Sequence, residues 1–235
     1  MRAHSAASGP DPIPPGVLSP DVRRILIVGA GGFGREVLEW TVAAWPSAQQ
    51  KIAGFLSADL DDKLLPQLPI VADPDDFTPL PGDGLLLAIG IPDIRRRVAE
   101  SLGARGANFL TLIHPTAIVA KSATVGTGSV LCPHAIVSDS ASTGRCALLN
   151  YFSSVGHDAS IGDFAVLSPY AALGGGSRLA EDGFLGMHAA IAPRRTVGRG
   201  SRVSANSVAM TDAAPFSLVY GVPGRVVPRI QLTVP

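Results

Sequence analysis

A chain of 235 residues that is 46% apolar and 16% charged has room for one or two well-packed domains, and its formal net charge of zero argues against nucleic acid or a membrane surface as partner. No apolar run is long enough to span a bilayer and the first residues lack the apolar stretch of a signal peptide, so the expected home is the cytoplasm. The two cysteines, Cys132 and Cys146, read as small core or corner residues in a reducing compartment, and 26 glycines with 20 prolines suit a turn-dense β architecture.

In chain order, residues 1–22 hold five prolines among Gly, Ser and Ala and read as a flexible arm. Residues 24–29 are a buried strand, followed by a glycine-rich turn at 29–34 and a helix from Arg35 to about Trp45. A second strand is expected at 51–57, a loop with Asp61, Asp62 and Lys63, a third strand at 67–71 and a short helix at 73–77. An apolar strand at 84–90, a helix from Pro92 to about Arg105 and a last strand at 109–113 complete a small doubly wound α/β domain over residues 23–113.

From Val119 a six-residue repeat runs without slipping through Leu131, Val137, Thr143, Leu149, Val155, Ile161 and onward to Val203. Fourteen of its fifteen positions are aliphatic, and the exception, Thr143, is β-branched. The next residue is small or turn-forming each time, as in Gly126, Gly144, Asn150, Gly156 and Gly162. Period six fits neither a helix nor an amphipathic strand; it is the signature of a parallel β-helix of hexapeptide repeats. The aliphatic side chains fill a narrow prism, and Gly or Asn beside them takes the unusual φ that corners need. Three hexads close a coil of eighteen residues, giving about five coils stacked at roughly 4.8 Å. The β-helix is placed at 114–212, and 213–235 as a tail that caps the last coil or folds back along it.

The turn matches G-x-G-x-x-G at Gly29, Gly31 and Gly34. Glycines there let a backbone approach a pyrophosphate at a helix N-terminus, from NAD or a nucleotide sugar; a tight strand-to-helix turn with no ligand uses the same residues. The domain is about half a full dinucleotide fold, which weighs against NAD. Within the repeat lie His134, His157 and His188, and only His157 sits two residues after an inward position, in the sequence Val155, Gly156, His157, Asp158. With residues eighteen apart stacked, His157 lies in a column of Asp139, His157, Gly175 and Pro193. Gly175 then leaves its N–H open to a thioester oxygen, and Asp158 is placed to orient the imidazole. A surface histidine with no role fits the position equally well. His134 and His188 fall three coils apart in one phase, ~14 Å, too far to share an ion within one chain, so no metal site is assigned.

Residues 24 to about 228 resemble the sialic acid O-acetyltransferase and bacillosamine/perosamine N-acetyltransferase family of hexapeptide-repeat enzymes. The matching pieces are the run from Gly29 to Glu36, Ala88 to Gly90 with Arg95 to Arg97, His114 to Ala117, Asn150 to Asp158, Gly162 to Phe164, and Gly221 to Gly224. The resemblance implies a Rossmann-like α/β domain followed by a left-handed β-helix, in a homotrimer with acetyl-CoA as co-substrate between neighbours and no tightly bound cofactor. It implies His157 as catalytic base with Asp158 as its acidic partner, Gly175 and Asn150 at the acetyl-CoA groove, and Gly31, Gly32, Phe33 and Asp59 at a nucleotide-linked sugar. The chain departs from the family at Phe33, where many members have His, and at Ser57, Ala58 and Asp59, where many have paired acids. The expected reaction is acetyl transfer to the amino group of a nucleotide-linked amino-deoxy sugar. O-acetylation of a sugar hydroxyl, a non-catalytic sugar-nucleotide scaffold, and a metal-dependent carbonic-anhydrase-like β-helix are the alternatives.

Overall fold

The structure is a computed structural model that describes residues 18–58 and 68–229. Most of the proline-rich arm, Asp59 and the 61–63 loop lie outside these residues. Four parallel strands, β1 (Arg24–Val28), β2 (Ile52–Leu56), β3 (Ile70–Ala72) and β4 (Asp83–Leu87), form a sheet in the order β3-β2-β1-β4. β1 and β4 carry apolar runs, Ile25 to Val28 and Leu85 to Leu87, because both faces of the sheet are covered. Helix α1 (Gly32–Ala44) packs Val37 and Ala44 against Ile25, Ile27 and Leu86; helix α2 (Pro92–Ala104) packs Val98, Ala99 and Leu102 against Leu26, Leu85 and Leu87.

Four local expectations are corrected. Helix α1 begins at Gly32, so half of the glycine-rich motif is helical rather than turn. Gly34 lies so close to β1 that a Cβ there would strike the Gly29 carbonyl, and this close crossing lets the helix start early. A 3-10 helix at Pro46–Lys51 precedes β2. Residues 73–77 form a single hydrogen-bonded turn, with Asp76 and Phe77 N–H donating to the Asp73 carbonyl, because Pro79 and Pro81 leave no room for helix. Of the expected strand at 109–113, Phe109 only bridges to Leu85, while Leu112–Ile113 pairs with Val130–Leu131 as the first rung of the next unit. Ile113 stands six residues before Val119, in phase with the repeat.

That unit is a three-sided parallel β-helix. Each side is a sheet of two-residue strands whose partners are eighteen positions apart, as in Leu148–Leu149 with Val166–Leu167, Ser154–Val155 with Ala172–Leu173, and Ser142–Thr143 with Ser160–Ile161. We call these faces A, B and C. The inward residues form one apolar column from Leu131 to Val219. Past Val208–Ala209 the spacing shortens: Arg202 pairs with Leu218, and Ser217–Tyr220 turns back antiparallel through Arg225–Pro228 to close face A.

The corner glycines serve a different purpose from the one expected. The left-handed φ falls not on the residue after the inward aliphatic but two positions later, on non-glycine residues such as His134, Asp158, Phe164 and Arg194, with φ from 57° to 60°. At Gly126, Gly144, Gly162 and Gly186 the constraint is space: a Cβ would come within 2.4–2.6 Å of backbone atoms one coil on.

Each corner has its own chemistry. Face A and corner CA are covered by the α/β domain: Val130, Leu148 and Val166 join the α1 core, and Cys146 and Phe164 join the α2 core. Corner AB carries an aromatic ladder of His134, Phe152, Tyr170 and His188, its rings stacked with centroids 4.7, 5.1 and 4.7 Å apart. Corner BC carries His157. Both cysteines are unpaired and buried, and burial pushes both thiols up from their ordinary pKa. No helix among the described residues is long and apolar enough to cross a membrane.

Candidate active site

His157 stands on corner BC, on the coil built by Leu148–Leu149 and Ser154–Val155. Its Nδ1 lies 2.8 Å from Asp158 Oδ2. An ionised carboxylate only accepts, so Nδ1 carries the proton, and in the neutral form of the ring Nε2 presents a lone pair. Asp158 reaches back because its backbone is left-handed, φ 57°, a conformation Asp tolerates better than most residues. One coil below, Asp139 accepts from Ser122 Oγ at 2.5 Å and from Ser140 Oγ at 3.1 Å. The Ser122 hydrogen bond, then that of Ser140, holds the Asp139 carboxyl below the usual carboxylate range.

One coil above, three consecutive glycines each answer a separate constraint. Gly174 packs on Pro193, Gly176 has a left-handed φ of 64°, and a Cβ on Gly175 would fall 2.4 Å from His157 Nε2. The stacking of Gly175 on His157 is therefore tight, and its N–H meets no acceptor among the described residues. The arrangement offers a basic nitrogen, an orienting carboxylate and an unused backbone donor on one exposed corner, with His157 and Asp158 side chains 71% and 66% exposed. Arg194 stands in the same corner above Gly176, its N–H donating to the Gly175 carbonyl. Arg199 is paired with Asp182 at corner CA.

A second group of residues lies at the C-terminal ends of β1 and β4. The strand order reverses between these two, which opens a crevice for ligands in parallel sheets. Gly29 and Gly34 are required by the fold: a Cβ on Gly29, whose φ is 112°, would fall 2.6 Å from the Ala88 carbonyl, and Gly34 crosses Gly29. Gly31 and Gly90 are not. A Cβ on either would meet nothing within 4 Å, and on Gly32 only the tip of Arg35. The Gly31 backbone, φ −72°, suits any residue. The fold thus leaves unexplained the glycines at this switch point, beside first-turn N–H groups of α1 that meet no acceptor among the described residues. Phe33 turns an edge to Trp40 at 5.9 Å and is half-buried.

Asn150 is not brought to His157 within the chain. It stands on corner AB of the same coil, one strand earlier, its Oδ1 accepting from Tyr151 N–H at 2.8 Å. Beside it is the ladder, with Phe152 and Tyr170 nearly half exposed. Sequence reasoning missed this ladder, although positions 134, 152, 170 and 188 are spaced by eighteen and hold only aromatic or imidazole rings. It also missed Arg95, which shares the apolar helical stripe of Val98, Ala99 and Leu102 and is fully buried.

Residues 24–102 match the PglD N-terminal domain family. Over 118 residues the chain is 35% identical to UDP-N-acetylbacillosamine N-acetyltransferase of Bacillus subtilis (strain 168), a match spanning 47% of this chain and 51% of that protein. It thus covers about half the length of the curated relative. The acetyltransferase domain of PglB from Neisseria gonorrhoeae FA1090, solved with acetyl coenzyme A, superposes with a TM-score of 0.79 at 28% identity over 88% of this chain and 100% of that one. Perosamine N-acetyltransferase from Caulobacter crescentus, solved as a histidine-to-asparagine variant with CoA and GDP-perosamine, gives a TM-score of 0.76 at 26% identity over 87% and 96%. The fold expected from the sequence, an α/β domain followed by a left-handed parallel β-helix, is the fold found.

Proposed function

We propose that this chain, which shares the PglD N-terminal domain and the β-helix of the bacillosamine and perosamine N-acetyltransferases, is an acetyl-CoA-dependent acetyltransferase acting on the amino group of a nucleotide-linked amino-deoxy sugar. The observation that carries the reading is the stack of His157 against Gly175, with Asp158 on the far ring nitrogen. In it, the sugar amine attacks the thioester carbonyl. A C–N bond forms, the amine proton passes to His157 Nε2, the Gly175 N–H donates to the developing oxyanion, and the C–S bond breaks to release CoA thiolate. Asp158 holds the imidazole and stabilises the imidazolium. The sugar's diphosphate lies along Gly31 and Gly32 with Phe33 alongside, and Asp59 is carried as a further candidate contact to the same ligand on the family resemblance alone.

The working assembly in this reading is a cytoplasmic homotrimer. Support comes from the exposure of the candidate pair and from the exposed ladder beside Asn150, two surfaces on adjacent corners that a neighbouring copy can bring together. Three chains per particle by light scattering is the expected mass, and a monomer with full turnover would contradict it.

Thiol release from acetyl-CoA against UDP-, GDP- and dTDP-linked amino sugars, with matching hydroxyl sugars, tests the reaction. Turnover on an amine is expected, and His157→Ala should lower kcat by about 10²–10⁴-fold with acetyl-CoA binding retained. Turnover on hydroxyl acceptors alone would reassign the product as an ester. Absence of CoA binding would leave only a sugar-nucleotide scaffold.

A further inference from the structure

The reaction proposed above needs two half-sites held at a fixed separation, the crevice beside β1 and β4 and the His157 corner. Arg95 bridges the segments that lead to them. Arg95 has 0% of its surface exposed, although it lies in a run of three arginines on α2. Among the described residues its guanidinium donates only to main-chain carbonyls. Nη1 donates to Leu87 at 2.9 Å and Ile89 at 3.0 Å, in the segment leaving β4. Nε donates to Cys146 at 2.6 Å and Nη2 to Ala147 at 3.3 Å, on corner CA of the β-helix.

Both ends of this bridge lead to a half-site. The Leu87 to Ile89 segment is the wall against which Gly29 is packed, so its position sets that of the glycine-rich turn. Cys146 and Ala147 open the coil that continues through Leu148–Leu149, Asn150 and Ser154–Val155 to His157. No carboxylate pairs with Arg95 among the described residues. Burial lowers its pKa to about 10, which still leaves it charged at neutral pH. A buried cation without an anion carries a desolvation cost that its hydrogen bonds must offset, which makes it a poor choice for stability alone. The rigid fork supplies geometry instead, since it fixes four carbonyl oxygens from two units in one plane.

We propose that Arg95 is a positioning residue that clamps the sugar-nucleotide crevice to the coil carrying His157, at the separation acetyl transfer requires. This rests on the functional reading above, and its test includes a readout that does not. Arg95→Lys keeps a cation but loses the fork; Arg95→Met fills the slot without charge. Both should lower kcat about 10–100-fold, the scale of a misplacement near 1 Å. Binding of acetyl-CoA, and of UDP, GDP or dTDP alone, should stay within about twofold of wild type, because each half-site is intact. Arg95→Met also leaves the Cys146 and Ile89 carbonyls without this donor and is expected to melt lower than wild type, so the loss of kcat per folded molecule with both affinities kept is what separates positioning from a merely structural role.

The independent readout is the distance distribution between spin labels at the exposed positions Gln50→Cys and Arg178→Cys, with labelled chains diluted into unlabelled ones. Cys132 and Cys146 are buried and stay unlabelled. The distribution should broaden in both variants. An unchanged distribution with unchanged kcat overturns the clamp, as does a fall in kcat matched by equal losses in both affinities. Absence of turnover by the wild-type protein on every acceptor would end the functional reading, and the label distances would still decide the clamp.

Discussion

Gly175 illustrates how tightly the candidate site is bounded by single atoms. Its missing side chain makes room for the imidazole, since a Cβ there would sit 2.4 Å from His157 Nε2 and 2.5 Å from Cε1. The atoms it would strike are the far end of a movable side chain, so Gly175→Ala should fold normally and turn His157 aside. Gly174→Ala is the control one residue away: its Cβ would meet the Pro193 nitrogen at 2.7 Å, in backbone that cannot yield. We expect Gly175→Ala to lower turnover about 10²-fold or more with little change in melting temperature. We expect Gly174→Ala to lose about 1–3 kcal/mol of stability while each folded molecule keeps its activity. Full turnover by Gly175→Ala would remove the stacked pair from the mechanism. The Gly175 constraint was legible as soon as eighteen-residue stacking was granted. That of Gly174 was not, because it depends on the proline one coil above.

At the scale of the element, the two glycine-rich features obey different rules. In the β-helix, coils stack so closely that Gly162 has no room for a methyl group: a Cβ would lie 2.4 Å from the Glu181 nitrogen. At the start of α1, Gly31 has open space around it. Gly162→Ala should therefore destabilise by about 1–3 kcal/mol, read as a lower urea midpoint. Gly31→Ala should leave the midpoint unmoved and weaken binding of the sugar nucleotide, read by calorimetry. Loss of stability without loss of affinity at Gly31 would return the turn to a purely structural role. The inward column was plain in the sequence because period six survives any choice among Val, Leu and Ile. The corner geometry was hidden because its left-handed position takes His, Ser, Cys, Phe, Asp, Tyr and Arg alike. Stacked rings recover part of the cost of that backbone: each close aromatic pair in the 134–188 ladder is worth about 0.5–1.5 kcal/mol beyond area burial, against about 1–2 kcal/mol for a non-glycine left-handed residue.

For the whole molecule, the decisive contact is α2 lying along corner CA, and this was the least legible part. A run of three arginines in a helix suggests a solvated face, yet Arg95 is buried and Arg96 is bound on every side. Arg96 donates to Asp182 at 2.6 Å, Glu181 at 3.0 Å and Glu100 at 3.1 Å, and its guanidinium carbon lies 4.5 Å over the ring of the buried Phe164. The guanidinium carbon of Arg145 lies 4.6 Å from the centre of the same ring. Helical phase alone points to Arg95, through its register with Val98 and Leu102; nothing local points to residues some eighty positions away. Asp182 is the sharpest place to test the docking. Its side chain is 9% exposed, it also accepts from Arg199 at 3.3 Å, and its backbone φ of 55° is one that asparagine adopts as readily. Asp182→Asn thus removes charge without straining the corner. The charged hydrogen bond from Arg96 should cost about 1.5–3 kcal/mol when lost. The melting temperature should fall accordingly, and the gap between variant and wild type should narrow only slightly in 1 M salt, because the pair is mostly shielded from solvent. A variant as stable as wild type at low salt would show that the Arg96–Asp182 pair contributes nothing to the docking, which would then rest on the apolar contacts of face A and on pairs such as Arg202 with Asp93.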